Sequence, residues 1–445
     1  MIDYSLLFSV LIGVGLLIFL ILKCKFQPFL ALLLSSILVG ILAGVAPKEI
    51  MVTVKDGMGS TLGFVAVVVG LGAMFGAILE HSGGAEALAQ YLLQKFDEKN
   101  ASWALMITGF FIAIPVFFDV AFIILIPLVY SLQRKTKKSM LLYAIPLLAG
   151  LAITHGFIPP TPGPVAVADI LDAVLGWVIL VGFIVGVPTA IVSGPVLGKF
   201  IASKIFVAAP ESFQKKSEQQ FPPIGLVLLI IGTPIYLIVC NTLLSSPITS
   251  GMLLSEKTIG WIQMIGHPFS ALILANLMAW CFLGINRGVS KTALSKITSA
   301  SLTPAGIIIL LTGAGGVFKQ MLITTVTGTM LANYFSSIGL GLLPFAFLAA
   351  ACVRVLQGSS AVSMITTSGV SALITSPLRR LQTALLVIAI ALGASILSHV
   401  NDSGFRLVNN YLGLSEKDTF RSWSVMTTLL ALTGFSMVHI LSLFV

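Results

Sequence analysis

Charged side chains are scarce in this chain. Asp, Glu, Lys and Arg make up 9% of its 445 residues, whereas hydrophobic residues make up 57%. Soluble domains contain about 25% charged residues, so the composition excludes an ordinary soluble domain. The mean hydropathy is +1.06. Because apolar runs near the ~20 residues that cross a bilayer recur along the whole length, we predict an all-α polytopic membrane protein with about 10–12 transmembrane helices.

Cysteine and histidine are also rare, with four and five residues. No CxxC or Cys/His spacing occurs, so the sequence predicts no disulfide framework, no metal site and no cofactor. The motifs HExxH and DDxxD, which would indicate a metal-dependent enzyme, are absent. The stretch "GASI" (393–396) followed by His399 lacks the second glycine of a serine-protease elbow. These absences argue against an intramembrane enzyme.

Basic residues outnumber acidic ones, 25 to 16. Nucleic acid binding is not needed to explain the excess, because cytoplasmic loops of membrane proteins are enriched in Lys and Arg. Arg379 and Arg380 would face outward under this rule and are its one exception here. We therefore place the basic loops in the cytoplasm, at residues 23–25, 134–138, 199–216 and 287–296. This orientation predicts that the N-terminus lies outside the cytoplasm.

The apolar segments differ in length. Ten of them suit single spans, at residues 5–22, 28–46, 60–80, 139–168, 173–198, 224–244, 258–284, 303–323, 382–408 and 423–444. Two others, 102–132 and 340–376, are too long, since a helix over the first would reach about 46 Å against a ~30 Å hydrocarbon core. Each has a break near its middle, so we expect re-entrant hairpins or pairs of short spans that turn near Phe118-Asp119 and Gly358-Ser359.

The chain divides into two halves, 1–198 and 224–445, joined by a polar linker at 199–223 that we place in the cytoplasm. Residues 63–91 align without gaps on 306–334, and the identical pairs include Gly63/Gly306, Gly70/Gly313 and Gly72/Gly315. At nearly the same shift, Thr154-His155 falls on Ser398-His399. Because the two segments would cross in opposite directions, the sequence predicts inverted repeats, the usual architecture of secondary transporters. Glycine-rich membrane helices also resemble one another through close packing alone, which is the alternative explanation.

Polar residues interrupt the apolar stretches at four places, two in each half. They are "AIPVFFDVAF" (113–122), "AITHGFIPPTPGP" (152–164), "RVLQGSSAVS" (354–363) and "LSHVNDSGF" (397–405). Irregular backbone survives at membrane depth only where protein or a water-filled cavity satisfies its polar groups. Broken helices also direct half-helix N-termini at bound anions. We therefore expect the four breaks to converge on one binding site.

Ionisable residues in these breaks are candidates for coupling and charge recognition. Asp119 is the first candidate for proton coupling, as a buried acid among phenylalanines, and His399 is a second. Asp119 has an alternative role as a cap of the second hairpin arm. Arg354 is the candidate counter-charge for an anion, or else it extends to a membrane interface. Asp402 either joins the site or caps the following half-helix.

Ten residues of the breaks are predicted to bind substrate through side-chain donors and acceptors or through close backbone approach. In the first half they are Thr154, His155, Thr161 and Gly163, and in the second half Gly358, Ser359, Ser360, Asn401, Asp402 and Ser403.

Several motifs resemble the gluconate permease (GntP) family of bacterial proton symporters over essentially the whole chain. They are "GSTLGFVAVVVGLGAMFGAILEHSG", "THGFIPPTPGP", "TPAGIIILLTGAGGVFKQML", "RVLQGSSAVS", "SHVNDSGF" and "TFRSWSVM". The resemblance implies import of an aldonate such as D-gluconate with a proton, across the bacterial cytoplasmic (inner) membrane. It also implies the ion-transporter fold with two re-entrant hairpins, elevator-like motion and a homodimer.

Departures from the family pattern lie at the breaks. Asp119 stands in "FFDVA" where the family has "FFEVG", Thr161 replaces a histidine, and Arg406 replaces a tryptophan. These changes leave the identity of the sugar acid open, since the family also contains a D-serine importer and hydroxy-acid carriers. A channel is the remaining rival, although channels usually repeat one filter sequence and these four breaks all differ.

Overall fold

The computed structural model describes residues 4–210, 221–245, 256–325, 341–372 and 378–445, which fold into α-helices without a β-strand among them. Within these described residues, seven helical segments are long and apolar enough to cross a membrane: Pro47–His81, Leu141–Ile170, Leu175–Ala202, Ile224–Leu244, Pro268–Arg287, Lys291–Thr324 and Glu416–Ser442. Shorter apolar helices add to them, including Pro28–Leu42, Leu342–Gln357 and Arg380–Gly393. The predicted class, an all-helical polytopic membrane protein, is confirmed. The inverted relation of the repeats stays a prediction.

The described part of the first half, residues 4–198, supplies nine α-helices. In chain order they are α1 (Tyr4–Leu22), α2 (Pro28–Leu42), α3 (Pro47–His81), α4 (Gly84–Lys95), α5 (Ala101–Ile112), α6 (Phe118–Thr136), α7 (Leu141–Phe157), α8 (Pro162–Ile170) and α9 (Leu175–Ala202). Proline opens α2, α3 and α8, where its missing N–H needs no partner.

The second half supplies a further nine in its described part. They are α10 (Ile224–Leu244), α11 (Glu256–Ile265), α12 (Pro268–Arg287), α13 (Lys291–Thr324), α14 (Leu342–Gln357), α15 (Ser360–Ser371), α16 (Arg380–Gly393), α17 (Ser403–Leu412) and α18 (Glu416–Ser442). Parts of three predicted features lie outside the described residues: 211–220 of the linker, 326–334 of the aligned repeat, and 340 and 373–377 of the second long stretch.

Both long stretches form two helices instead of one. In the first, residues 113–117 (turn 1) separate α5 from α6, and in the second, Gly358-Ser359 (turn 2) separates α14 from α15. The arms of the second are tied together, because the Ser363 hydroxyl donates to the Ala350 carbonyl at 2.6 Å. Both arms of the first pack on α7. The breaks were predicted correctly, and entry and exit on one membrane side stays a prediction.

Two spans are likewise interrupted where the sequence predicted broken helices. Residues 158–161 (break 1) separate α7 from α8, and residues 394–402 (break 2) separate α16 from α17. The Pro159-Pro160 peptide in break 1 is cis. Proline cannot continue the hydrogen-bond ladder of α7, so this interruption follows directly from the sequence.

The two longest helices, α3 with 35 residues and α13 with 34, pack against each other. Their contact is close because small residues face each other, and a Cβ at Gly57 would lie 2.8 Å from the Val317 backbone. An ion pair between Lys319 of α13 and Asp172, 3.0 Å apart, adds a link to the end of α8. The α3–α13 pair therefore forms a wall beside turn 1 and break 1, where Cβ atoms at Gly76 and Gly72 would approach the Pro115 and Pro160 carbonyls.

Candidate functional site

Break 2 is held in place by the last helix, α18. The Trp423 indole N–H donates to the Ser398 hydroxyl at 2.6 Å, and the Ser398 amide donates to Thr427 Oγ1 at 3.1 Å. The Ser424 hydroxyl donates to the Ser398 carbonyl. The bonds to the Ser398 amide and carbonyl replace the helical partners that this residue lacks beyond the end of α16, and the Trp423 bond fixes its side chain. Sequence reasoning missed this support, although "TFRSWSVM" had stood out as a motif without a role.

An ion pair joins α14 to break 2. Arg354 Nη2 lies 2.6 Å from Asp402 Oδ2, and the two side chains are 4% and 13% exposed. Arg354 Nη1 donates to the Gly358 carbonyl, and Ser398 Oγ donates to the same Asp402 oxygen. Arg354 therefore does not extend to an interface, and Asp402 makes no capping bond to α17. The alternative roles, extension of Arg354 to a membrane interface and capping of α17 by the Asp402 side chain, are therefore wrong, and the site roles of both residues stay predictions.

Turn 2 packs directly on break 2. Gly358 has φ +92°, and a Cβ there would lie 2.7 Å from Asn401 Cβ. His399 Nε2 lies 3.0 Å from the Val355 carbonyl, so this nitrogen carries a hydrogen, and Nδ1 accepts from the Asn401 amide at 3.4 Å. His399 is thus bonded through both ring nitrogens to backbone. Asn401 itself is exposed.

The start of α15 shows how turn 2 ends. The Ser359 hydroxyl accepts from the Val362 amide at 3.4 Å and so serves as the N-cap of α15. Ser360 is the first helical residue and is half-buried. At break 2, Ser403 opens α17 and is exposed. The predicted binding hydroxyls of Ser360 and Ser403 are therefore accessible. The Ser359 hydroxyl also has a structural role as the cap of α15.

Turn 1 approaches both breaks through its aromatic residues. The Phe117 and Phe118 rings lie 6.2 Å and 6.5 Å from the His155 ring, and Phe118 lies 5.6 Å from Trp423. Asp119 is exposed. The expectation of a buried acid is wrong here, because Asp119 sits in the first helical turn at an open tip. It also makes no side-chain cap.

The end of α7, next to break 1, carries polar groups that lack partners among the described residues. Thr154 Oγ1 and His155 Nδ1 are buried without a hydrogen bond among the described residues. Thr161 donates to the Ile158 carbonyl at 2.7 Å, which leaves its oxygen available only as an acceptor. Gly163 lies beside Met364 of α15, whose sulfur would be 2.8 Å from an added Cβ. Unpaired buried groups are costly, so break 1 is suited to a bound molecule or water.

A cavity of about 390 Å³ opens beside turn 1, between it and the α3–α13 wall. Glu80 and His81, at the end of α3, line the opening of this cavity and are both exposed. A smaller pocket shares Val116 and Phe117 with it and reaches His155 and Thr161. The cavity thus leads from a helix end towards break 1.

The structure brings most of the predicted residues into two groups. Arg354, Gly358, His399, Asn401 and Asp402 form one group at turn 2 and break 2, with Asp119 within electrostatic reach of Asp402. Thr154, His155, Thr161 and Gly163 form the other at break 1 and the adjoining start of α8. The groups are adjacent, because a Cβ at Gly156 would lie 3.4 Å from Ser395 Oγ.

Polar, interrupted membrane helices that pack against one another are typical of membrane transporters. The chain belongs to the GntP permease family, since the family model described as "GntP family permease" matches residues 5–444. It is 39% identical to the inner membrane permease YgbN of Escherichia coli (strain K12), with 97% of each chain covered. It is 35% identical to a gluconate permease of Pseudomonas aeruginosa, with 99% and 98% covered. The chain is thus a transporter of the inner membrane, and the exclusion of an enzyme is confirmed.

A solved structure shares the fold. The Alcanivorax borkumensis YdaH transporter, described as having an unusual topology, superposes with a TM-score of 0.64 at 14% identity. The likeness covers 98% of both chains. At this identity the likeness shows the overall fold alone.

Proposed function

We propose that this chain imports D-gluconate or a related aldonate together with a proton. One observation carries the proposal: the buried Arg354 cation meets the start of a half-helix and hydroxyl-binding groups at break 2. An aldonate combines one carboxylate with a row of hydroxyls. Its recognition therefore requires both a positive charge and hydrogen-bonding groups. Relatives named gluconate permeases at 35% identity support the same substrate.

The carboxylate would lie between Arg354 and the first turn of α17. The amides of Ser403 and Gly404 have no intrahelical acceptor in that turn, and helix N-termini bind anions. Asn401 offers donors and an acceptor for a hydroxyl, and so does His155 through its unpaired nitrogen. Thr154, Thr161, Gly163, Ser359 and Ser360 complete the proposed surface. Proton coupling is assigned to the Asp119 and Asp402 carboxyls, with His399 as the second candidate.

We also propose that the N-terminus lies outside and that the 390 Å³ cavity opens to the cytoplasm. The basic loops support this orientation, because they follow the ends of helices on the same side as Glu80 and His81. A homodimer, implied by the family resemblance, and a division into halves at 199–223 belong to the same proposal.

Import of D-serine or a small hydroxy acid is the second candidate. D-serine and small hydroxy acids carry a carboxylate and a hydroxyl, but fewer hydroxyls than an aldonate. They would therefore form fewer hydrogen bonds with the groups at break 1. Radiolabelled uptake in membrane vesicles with an imposed pH gradient, competed by aldonates, D-serine and hydroxy acids, separates them. Uptake of no aldonate would contradict the main proposal, and uptake that survives collapse of the gradient would favour a channel.

Replacing Asn401 by alanine tests the hydroxyl contacts. We expect the half-saturation concentration for the true substrate to rise about tenfold, the equivalent of ~1.4 kcal/mol or one good hydrogen bond. Discrimination against deoxy analogues should shrink too, because no unpaired amide would then penalise them. The measurement is initial uptake rate against concentration for substrate and deoxy analogue. Unchanged affinity and selectivity would make break 2 a hinge only.

Single cysteines at the two ends of α3 test the orientation. In a variant without the native cysteines, Ala77→Cys lines the cavity and Ala46→Cys marks the exposed opposite end. A membrane-impermeant thiol reagent should modify Ala77→Cys only in inside-out vesicles and Ala46→Cys only in right-side-out vesicles. Gluconate should slow modification at Ala77→Cys alone. The reverse pattern would place the cavity outside.

A further inference from the structure

We propose that proton and substrate are coupled by a change of partner at Arg354: protonation of Asp402 releases the guanidinium, which then binds the substrate carboxylate. The inference rests on the proposed function and adds to it the mechanism by which one binding event requires the other.

The first step in the argument is that Arg354 must always have an anion beside it. It is the only charged side chain in the described part of the chain that is fully buried, at 3% exposure. A buried cation whose partner is removed is strongly destabilised. Its guanidinium keeps its charge at all relevant pH values, so the change must come from the partner. Asp402, 2.6 Å away, is the partner in this structure.

The second step is that Arg354 has capacity for another anion. Nη1 donates to the Gly358 carbonyl and Nη2 donates to Asp402, but Nε is buried without a partner among the described residues. A guanidinium binds a carboxylate best through two parallel N–H groups. Nε and Nη2 form such an edge once Asp402 no longer needs Nη2. The unpaired Nε therefore indicates a ligand that this state lacks.

The third step is that Asp402 keeps a hydrogen-bond partner when its carboxyl is protonated and neutral. Ser398 Oγ donates to Asp402 Oδ2, and Trp423 Nε1 donates to Ser398 Oγ at 2.6 Å. A serine hydroxyl both donates and accepts, so it can bond either form of the carboxyl. The proton adds to a carboxylate oxygen of Asp402, no covalent bond breaks, and the substrate carboxylate takes over the N–H donors. Release reverses the same steps.

Other charged and titratable groups face Asp402 from the elements around it. Arg354 is on α14, Asp119 on α6, and His399 and Arg406 are near it on its own segment, with Arg406 Nε bonded to the Val400 carbonyl at 2.9 Å. The like charges of Asp119 and Asp402 repel, and a proton on either carboxyl removes that repulsion. Asp119 therefore stabilises a pair of carboxyls that share one proton. Because its side chain is exposed, it can exchange that proton with water.

The consequence is measurable as linkage. Because substrate binding requires one proton on Asp402, the dissociation constant should rise about tenfold per pH unit once that carboxyl is ionised. A transporter with separate proton and substrate sites would show no such dependence in equilibrium binding.

The test is equilibrium binding of radiolabelled gluconate to the purified full chain between pH 5.5 and 8.5. The wild type should show the tenfold slope, and Asp402→Asn should bind with no pH dependence and more tightly than wild type at the alkaline end. Asparagine keeps the shape and an acceptor for Ser398. Glu80→Gln, an acid-to-amide change at the cavity mouth, is the matched control and should keep the slope.

Three outcomes overturn the inference or its basis. A slope that persists in Asp402→Asn contradicts the exchange at Arg354. Wild-type protein that binds no aldonate at any pH contradicts the proposed function instead. A second measurement on the wild type avoids dependence on folding of a variant: infrared difference spectra should show a protonated carboxyl appearing on gluconate binding at alkaline pH. Its absence would also contradict the exchange.

Discussion

Asp119→Asn is expected to abolish accumulation of substrate driven by a pH gradient while the protein stays folded. Asp119 is exposed at the tip of turn 1 and forms no ion pair among the described residues, so the amide should change stability by less than ~0.5 kcal/mol. It cannot carry a proton, however, and Asp402 then loses its exchange partner. Vesicle uptake with an acidic exterior measures the loss.

The control separates coupling from binding. Substrate exchange across equilibrated vesicles requires no net proton movement, so Asp119→Asn should retain exchange when accumulation is gone. Glu80→Gln should retain both, since Glu80 lies at the cavity mouth away from Asp402. Full accumulation in Asp119→Asn would remove this carboxyl from the coupling role and leave Asp402 or His399.

Gly358→Val should reduce transport at least about tenfold and lower the melting temperature. Gly358 has φ +92°, where a side chain costs about 1–3 kcal/mol, and its missing Cβ lets Asn401 approach to within 2.7 Å of that position. Valine would push turn 2 off break 2 and separate Arg354 from Asp402. Uptake rate and thermal unfolding of the purified variant measure the two effects.

The control for Gly358→Val is the same substitution at a glycine that has room for a side chain. Gly63 lies within α3 with open space where a Cβ would be, so Gly63→Val should fold and transport nearly normally. If Gly358→Val transports like wild type, turn 2 is not packed against break 2 in the working cycle.

The sequence predicted the interruptions because their causes are local. Pro159, Pro160 and Pro162 stop α7 whatever surrounds them, and Gly358 permits a turn that other residues disfavour. Apolar length likewise identified the spans, and it showed that 102–132 and 340–376 could not be single helices.

The partners in the site could not be predicted, because they are set by long-range packing. Arg354 and Asp402 are 48 residues apart, and Trp423 reaches Ser398 across 25. Nothing local marks Trp423 as a donor to a broken helix. The exposure of Asp119 was missed for the same reason: its phenylalanine neighbours suggested burial, but they face His155 and Trp423 and leave the carboxyl outside.

The two breaks differ in how many of their side chains the protein itself needs. Asp402, Ser398 and Trp423 are linked in one network, so a change at any of them disturbs the others. Thr154 Oγ1 and His155 Nδ1 have no hydrogen-bond partner among the described residues, so replacing these side chains breaks no hydrogen bond at those atoms. His155 otherwise packs on the Phe117 and Phe118 rings. Evolution of new substrate preferences should therefore proceed through break 1, by single substitutions that leave folding intact, while the network at break 2 is inherited unchanged by carriers of different acids.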